Sequence, residues 1–255
     1  RVTGVQTCAL PISGKNVLVE KPFTPTLEEA KTLFALANSK GLTVTPYQNR
    51  RFDSCFLTTK KVIESGKLGE LVEIESHFDN YRPLAETNPG GPQNGEFYGL
   101  GVHTLDQIIS LFGRPDHVSY DLRSLRNKAN PDDTFEAQLF YGDMKAIVKT
   151  SHLVQIDYPK FIVHGHKGSF VKYGIDQQET SLKANVMPGE PGFGADDSVG
   201  ELVYVNEAGE MVREAVPLES GDYGRVYDAL YDTLVNGQPN YVKETDVLKI
   251  GRAHV

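Results

Sequence analysis

Apolar residues recur at helical spacing through Leu27, Ala30, Leu33, Phe34 and Ala37, and Thr26 with Glu29 forms the capping pattern that opens such a helix. Gly41 stands where a carboxyl-terminal cap is needed. β-Branched apolar runs at 16–20 and 42–46 flank this helix, so residues 16–46 predict one β-α-β crossover, a piece of parallel sheet too small to fold alone. Downstream the period changes. A helix over about 53–65 closes at Gly66, residues 71–81 alternate as a long strand, a Gly/Pro-rich loop fills 88–95, and a helix covers 101–112. Strands follow near 117–125, 133–141, 144–151, 160–165, 168–173, 201–205 and 211–217, with turns such as Tyr141-Gly142-Asp143, before a last helix at 223–235. Many strands with few helices predict a large mixed, mostly antiparallel open sheet covered on one face, in an α/β protein of two unequal regions.

Two stretches show neither hydrophobic period nor capping logic. Residues 1–12 (RVTGVQTCALPI) and 250–255 (IGRAHV) read as in-frame translations of the two orientations of a short-read sequencing adapter. The expected organisation is an adapter-like segment at 1–13, a piece of one domain at 14–47, a second domain at 48–248 and an adapter-like segment at 249–255. The span between them is then an internal fragment of a longer reading frame.

With 255 residues, 39% of them hydrophobic, the chain can bury a sizeable core. No run reaches the length of a membrane span. A formal net charge of -8 argues against a nucleic-acid or anionic-membrane surface, which leaves a cytoplasmic protein with a small-molecule partner as the expectation. Cys8 falls in the adapter-like start, so Cys55 has no mate for an internal disulfide and is expected as a small buried residue on a helix.

Chemistry is concentrated in two places. The run Val17-Leu18-Val19 ends abruptly in Glu20-Lys21-Pro22. Ligands of open α/β sheets gather beyond the carboxyl ends of the strands, so the Lys21 ammonium is placed to meet one, with Pro22 fixing the chain direction and able to take the cis form. A surface lysine at an ordinary strand exit fits the tripeptide equally well. The second place is Gly95-Glu96-Phe97-Tyr98-Gly99-Leu100-Gly101-Val102-His103, three residues before Asp106. An i, i+3 pair lets Asp106 hold the His103 imidazole in one tautomer, although His103 as a plain helix-start residue with Asp106 balancing the dipole is the competing reading. Gly99-x-Gly101 lacks a third glycine and follows no strand, so it is not a dinucleotide fingerprint. His77, His117, His152, His164 and His166 are dispersed over strands and turns and are expected to be structural, with no metal site among them.

Glu20-Lys21-Pro22, Gln48-Asn49-Arg50-Arg51-Phe52-Asp53, Glu75-Ser76-His77-Phe78-Asp79-Asn80-Tyr81-Arg82-Pro83, Gly101-Val102-His103-x-x-Asp106 and Gly165-x-Lys167-Gly168-Ser169-Phe170-x-Lys172-Tyr173-Gly174 occur in this order. The ordered set resembles the glucose-fructose oxidoreductase, inositol dehydrogenase and rhizopine-catabolism (Gfo/Idh/MocA) family over essentially all of 14–248. That resemblance implies a Rossmann domain binding NAD or NADP, of which 14–47 is the carboxyl-terminal remnant, followed by a substrate domain whose free sheet face serves a homo-oligomer. No glycine-rich phosphate loop is present, so on the order of 80 to 100 residues of nucleotide-binding domain are expected to be missing, and cofactor binding by this polypeptide to be weak or absent.

The activity implied is an NAD(P)-dependent interconversion of a secondary alcohol and a carbonyl on a sugar, cyclitol or sugar-derived acid. A carbon bearing a neutral hydroxyl is a poor hydride donor, so a base is needed, and the resemblance gives that role to His103. Lys21 would donate to the same hydroxyl or to the nicotinamide ribose and stabilise alkoxide charge, with Glu20 and Pro22 beside the cofactor. Asp106 would orient His103, or face the core instead. Asn49, Arg50, Arg51, Tyr81, Arg82 and Tyr98 offer donors to the substrate, while each also fits an ion-pair or surface role at a strand end. One departure matters: relatives often carry an Asp four residues before the His, where this chain has Gly99, so a water or Tyr98 would have to substitute. Gly99 supports an alternative, a non-catalytic sugar- or nucleotide-sensing regulator on the same fold; an NAD-dependent glycosidase is a third reading.

Overall fold

The computed structural model describes residues 11, 13–196 and 198–253, the last four as backbone. Most of the adapter-like stretch at 1–13, Cys8 included, therefore lies outside the described residues. In chain order the elements are β1 (Val17–Val19), α1 (Leu27–Ser39), β2 (Val44–Pro46), a 3-10 turn (Asn49–Phe52), α2 (Ser54–Glu64) and β3 (Leu71–His77). A second 3-10 turn (Pro92–Asn94), a π-helical turn (Phe97–Gly101), α3 (Val102–Phe112), β4 (His117–Arg123), β5 (Thr134–Tyr141) and β6 (Met144–Ser151) follow. The chain ends with β7 (Pro159–Gly165), β8 (Gly168–Tyr173), α4 (Gln178–Lys183), β9 (Gly200–Val205), β10 (Met211–Val216), α5 (Arg225–Val235) and α6 (Glu244–Ala253). They divide into two compact units, Arg1–Asn49 with Arg225–Val255, and Arg50–Gly224.

In the first unit β1 and β2 pair in parallel, Val17 opposite Val44, with α1 as the crossover. Thr26 Oγ1 accepts from the Glu29 N–H at 3.3 Å, and Gly41 takes φ +63 just beyond the helix, a conformation costly for any residue with a Cβ. Leu33, Phe34 and Ala37 of α1 close over Val17, Val19 and Val44, and each of the two larger side chains contributes ~1.5–3 kcal/mol by leaving water. Val242 and Val247 join the same cluster, which is why the chain returns to this unit after residue 224 rather than dividing once at 47/48. Helix α6 was not legible in the periodicity. It runs through Lys249, whose Nζ donates to Asp246 Oδ1 at 3.2 Å, into the stretch expected to be foreign.

The second unit is built on one eight-stranded sheet of order β10-β9-β8-β7-β3-β6-β5-β4, in which only β3 and β6 run parallel. Alternation sorts its side chains. Ile74, Ala137, Leu139, Ala146, Val148, Phe161, Val163, Phe170 and Leu202 are buried on one face, against which α2 packs at β7 and β8 and α3 at β6. On the other face Lys145 pairs with Glu73 at 2.6 Å and Lys149 with Glu136 at 3.4 Å, charges that neighbouring strands hold opposite one another. Cys55 lies buried in α2, and burial pushes its thiol pKa up, as suits an inert residue.

Candidate active site

The helix carrying His103 begins earlier than its periodicity indicates, because a carboxylate from another segment caps it. Asp132 Oδ2 accepts from the Phe97 N–H at 2.7 Å, and it can approach because residue 95 is glycine: a Cβ there would stand 1.9 Å from Asp132 Oδ1. Burial raises the Asp132 pKa, and that backbone donor pulls the other way. The π-helical turn then leads into α3, where His103 and Asp106 are both buried.

Asp106 accepts from Arg51 through both oxygens, 2.7 Å from Nε and 2.8 Å from Nη2. Gln107 Nε2 donates to the Arg50 carbonyl at 2.7 Å, so two successive α3 residues hold the 3-10 turn. Arg50 itself donates to Asp53 Oδ2 at 3.5 Å, to the Tyr223 hydroxyl at 3.2 Å and to Glu179 Oε1 at 3.3 Å, with its guanidinium 4.9 Å from the Phe78 ring centroid. Burial raises the Asp53 carboxyl to about 6 in spite of Arg50. Both arginines, expected as substrate donors, are thus committed to carboxylates of the protein itself. Asp106, expected to orient His103, gives its oxygens to a guanidinium.

The other expected residues are distributed between the units. Glu20, Lys21, Pro22 and Asn49 belong to the first; the Lys21-Pro22 peptide is cis, Lys21 is half-buried, Glu20 is exposed and Asn49 is buried. Tyr81, Arg82 and Tyr98 belong to the second; Tyr98 is half-buried, and burial, then Asp132, raises its phenol pKa. Arg82 is exposed.

A cavity of about 760 Å³ opens in the second unit, walled by His77, Asp79, Tyr81, Tyr158, Lys160 and Tyr173 among others. Of the residues expected to bind substrate, Tyr81 alone lines it. His77 is held between Glu75, 2.8 Å from Nε2, and Asp79, 3.1 Å from Nδ1, while Lys160 Nζ donates to the His77 carbonyl at 2.8 Å and sits 4.6 Å from the Phe78 ring centroid. Burial lowers the Lys160 ammonium to about 8. His77, expected to be structural, is therefore a cavity residue, and Asp79, Tyr158 and Lys160 were not singled out. Alternation held a signal for two of them, since 77, 79 and 81 continue one side of a strand past its end.

The cavity and the His103 helix are joined by backbone. The Phe78, Asn80 and Arg82 N–H groups donate to the carbonyls of Lys149, Ser151 and His152 at 2.9, 3.0 and 2.9 Å. His152 Nε2 then lies 3.2 Å from Oε1 of Glu96, the residue just ahead of the π-helical turn.

Known proteins share this fold. The profile of the oxidoreductase family's C-terminal alpha/beta domain (GFO_IDH_MocA_C) matches residues 60–252, and that of the same family's NAD-binding Rossmann fold matches 7–48. The chain is 82% identical over 236 residues to "Uncharacterized oxidoreductase YhhX" of Escherichia coli (strain K12), covering 92% of this chain and 68% of that protein. It is 35% identical over 236 residues to "scyllo-inositol 2-dehydrogenase (NADP(+)) IolW" of Bacillus subtilis (strain 168), covering 91% and 66%. A triclinic crystal structure of an oxidoreductase named yhhX superposes with a TM-score of 0.96 at 78% identity, covering 98% of this chain and 72% of that one. With three quarters of its residues matched by one domain profile and two relatives above 30% identity, the chain belongs to the Gfo/Idh/MocA oxidoreductase family.

Proposed function

We propose that this oxidoreductase interconverts a secondary alcohol and a carbonyl on a sugar or cyclitol, with NAD or NADP as the hydride partner and no membrane or nucleic-acid partner. Family membership carries the reaction class; a polyol is supported by the cavity of the larger unit, which His103 does not line but which offers tyrosine faces for C–H groups of a ring and carboxylate, imidazole and ammonium groups for its hydroxyls. The 35% identical relative is named for a cyclitol, scyllo-inositol, and for NADP(+).

The residues present fit the nicotinamide half of the cofactor. Lys21 follows β1 at the strand end where such sheets take ligands, and its ammonium can donate to ribose hydroxyls or a carboxamide. The sequence holds no G-x-G-x-x-G turn after a strand, so the pyrophosphate has no equivalent cradle in it. A bound nicotinamide would supply the hydride acceptor or donor. On the protein's side His103 takes the hydroxyl proton and the Arg51–Asp106 pair fixes the helix that presents it, while Lys21 is the donor of the first unit for ribose hydroxyls. A sensor without turnover is the second reading, favoured by Gly99.

The test compares the chain with the same chain extended by the amino-terminal residues of its 82% identical relative. Both are assayed for nucleotide binding and for reduction of NAD and NADP over a panel of polyols, sugars and sugar acids, with Lys21→Ala and His103→Ala as controls. Turnover by the extended protein that both substitutions abolish supports the reading. Ligand binding without turnover supports the sensor, and turnover indifferent to both substitutions removes the two site assignments.

A further inference from the structure

Gly99 leaves a gap one turn ahead of His103, and a carboxylate fills it. A Cβ on residue 99 would stand 3.2 Å from Oε2 of Glu96, so the Glu96 side chain lies over the stretch of helix from which a side chain at 99 would project. Its other oxygen, Oε1, is 3.2 Å from His152 Nε2. The His152 imidazole is 5% exposed and neither of its nitrogens makes an in-line hydrogen bond among the described residues, whereas the Glu96 side chain is 30% exposed. The pair therefore runs from a buried ring to water. Gly99 precedes His103 by one turn, so the carboxylate lying over residue 99 is on the side of the segment that carries His103.

We propose that Glu96 is the positioning residue for the proton handled by His103, supplying from the preceding turn the carboxylate that Gly99 does not carry, with His152 as its buried partner. This rests on the reading of His103 as the base. In the oxidation the hydroxyl proton passes to the His103 imidazole, the negative charge of Glu96 stabilises the imidazolium, and the proton leaves by way of the Glu96 carboxylate to water. The electron pair leaves the carbon as hydride to the nicotinamide. Gly99 is then what makes room for a longer side chain from position 96. Titratable groups facing Glu96 include His152 and Asp132, whose backbone carbonyl also accepts from the Glu96 N–H at 2.9 Å.

The extended protein provides the kinetic test, with Glu96→Ala, Glu96→Gln, the double variant Glu96→Ala/Gly99→Asp, and His103→Ala. Glu96→Ala and Glu96→Gln are expected to lower kcat by about tenfold to a hundredfold, a part of the ~10²–10⁴ that a positioned general base contributes, with KM within about twofold and a displaced acidic limb of the pH profile. Moving the carboxylate to residue 99 in the double variant is expected to restore most of kcat. In the chain as it stands, Glu96→Gln is expected to change the NMR chemical shifts of the His152 ring at fixed pH, a readout independent of turnover. Unchanged kcat and pH profile in both Glu96 variants beside an inactive His103→Ala overturns the Glu96 role alone. Full activity in His103→Ala overturns the base reading and the proposal with it, and unchanged His152 ring shifts remove the pairing.

Discussion

Arg51 and Asp106, 55 residues apart in sequence, meet in a fork with both oxygens and both donors in register, at 2.7 and 2.8 Å, and their side chains are only 11% and 2% exposed. A buried pair of this kind contributes little net stability relative to an apolar pair, but it is costly to break, because the buried survivor loses both charge-assisted hydrogen bonds of the fork. Asp106→Ala is therefore expected to destabilise the chain by about 3–5 kcal/mol, and Arg51→Met/Asp106→Leu to recover much of that. Urea denaturation of the two singles and the double gives the coupling; a single-variant loss below about 1 kcal/mol would show the fork to be incidental.

Lys160 predicts how stability follows alkaline pH. Burial lowers its ammonium from the ordinary 10.5 to about 8, so between those values the unfolded chain holds a proton that the folded chain has released. Stability from this group is lowest below about pH 8 and rises as the pH climbs towards about 10.5. Lys160→Met should remove that rise, a difference of up to about 3 kcal/mol between the two ends of the window. Chemical denaturation of both proteins at several pH values checks it, and parallel curves for the two would contradict the assignment.

Gly200 and Gly168 sit on neighbouring strands β9 and β8 and should differ in how they can be rescued. A Cβ at 200 would come within 2.4 Å of the Phe170 ring, a side chain that can be shortened, whereas one at 168 would come within 2.5 Å of the Val203 carbonyl, which cannot. Each Gly→Ala change is expected to cost about 1–3 kcal/mol by overpacking. Phe170→Leu should recover part of the loss at 200 and none at 168, as read from thermal midpoints.

The cavity can be tested without any turnover. Tyr81→Ala and Tyr158→Ala each remove a ring from its wall, and each should weaken polyol binding about threefold to tenfold by calorimetry, in keeping with the ~0.5–1.5 kcal/mol of a well-placed aromatic contact. Equal affinity in both variants would move the substrate elsewhere.

Strand positions were legible because one face of the sheet is buried: Ala137 and Leu139 flank polar Gln138 in β5, and the apolar runs Ala146-Ile147-Val148 and Phe161-Ile162-Val163, bounded by lysines and histidine, set β6 and β7 to within a residue or two. Helix α1 was legible from its cap and stripe alike. Two short elements escaped, α4 with six residues and α6, whose apolar contribution to the first unit is chiefly Val247 and Leu248. The site was legible only in part. His103 stands on the helix foreseen for it, but whether Arg50 and Arg51 face a ligand or a carboxylate is decided by Asp53, Glu179 and Asp106, and such partners follow from topology rather than local pattern. The same holds for the cavity, assembled from the ends of several strands that no single motif joins. Gly99 shows the converse: it reads as a loss in one dimension, while the group that occupies its space is three residues away.

Among the described residues every wall of the cavity comes from 77–198, all within the larger unit, and two of its aromatic or charged groups, Asp157 and Tyr158, lie on the short connection from β6 to β7. Redrafting that one brief connection thus reshapes the cavity while leaving the β-α-β piece of the first unit alone. If the proposed function holds, the connection is where randomisation changes which alcohol is accepted.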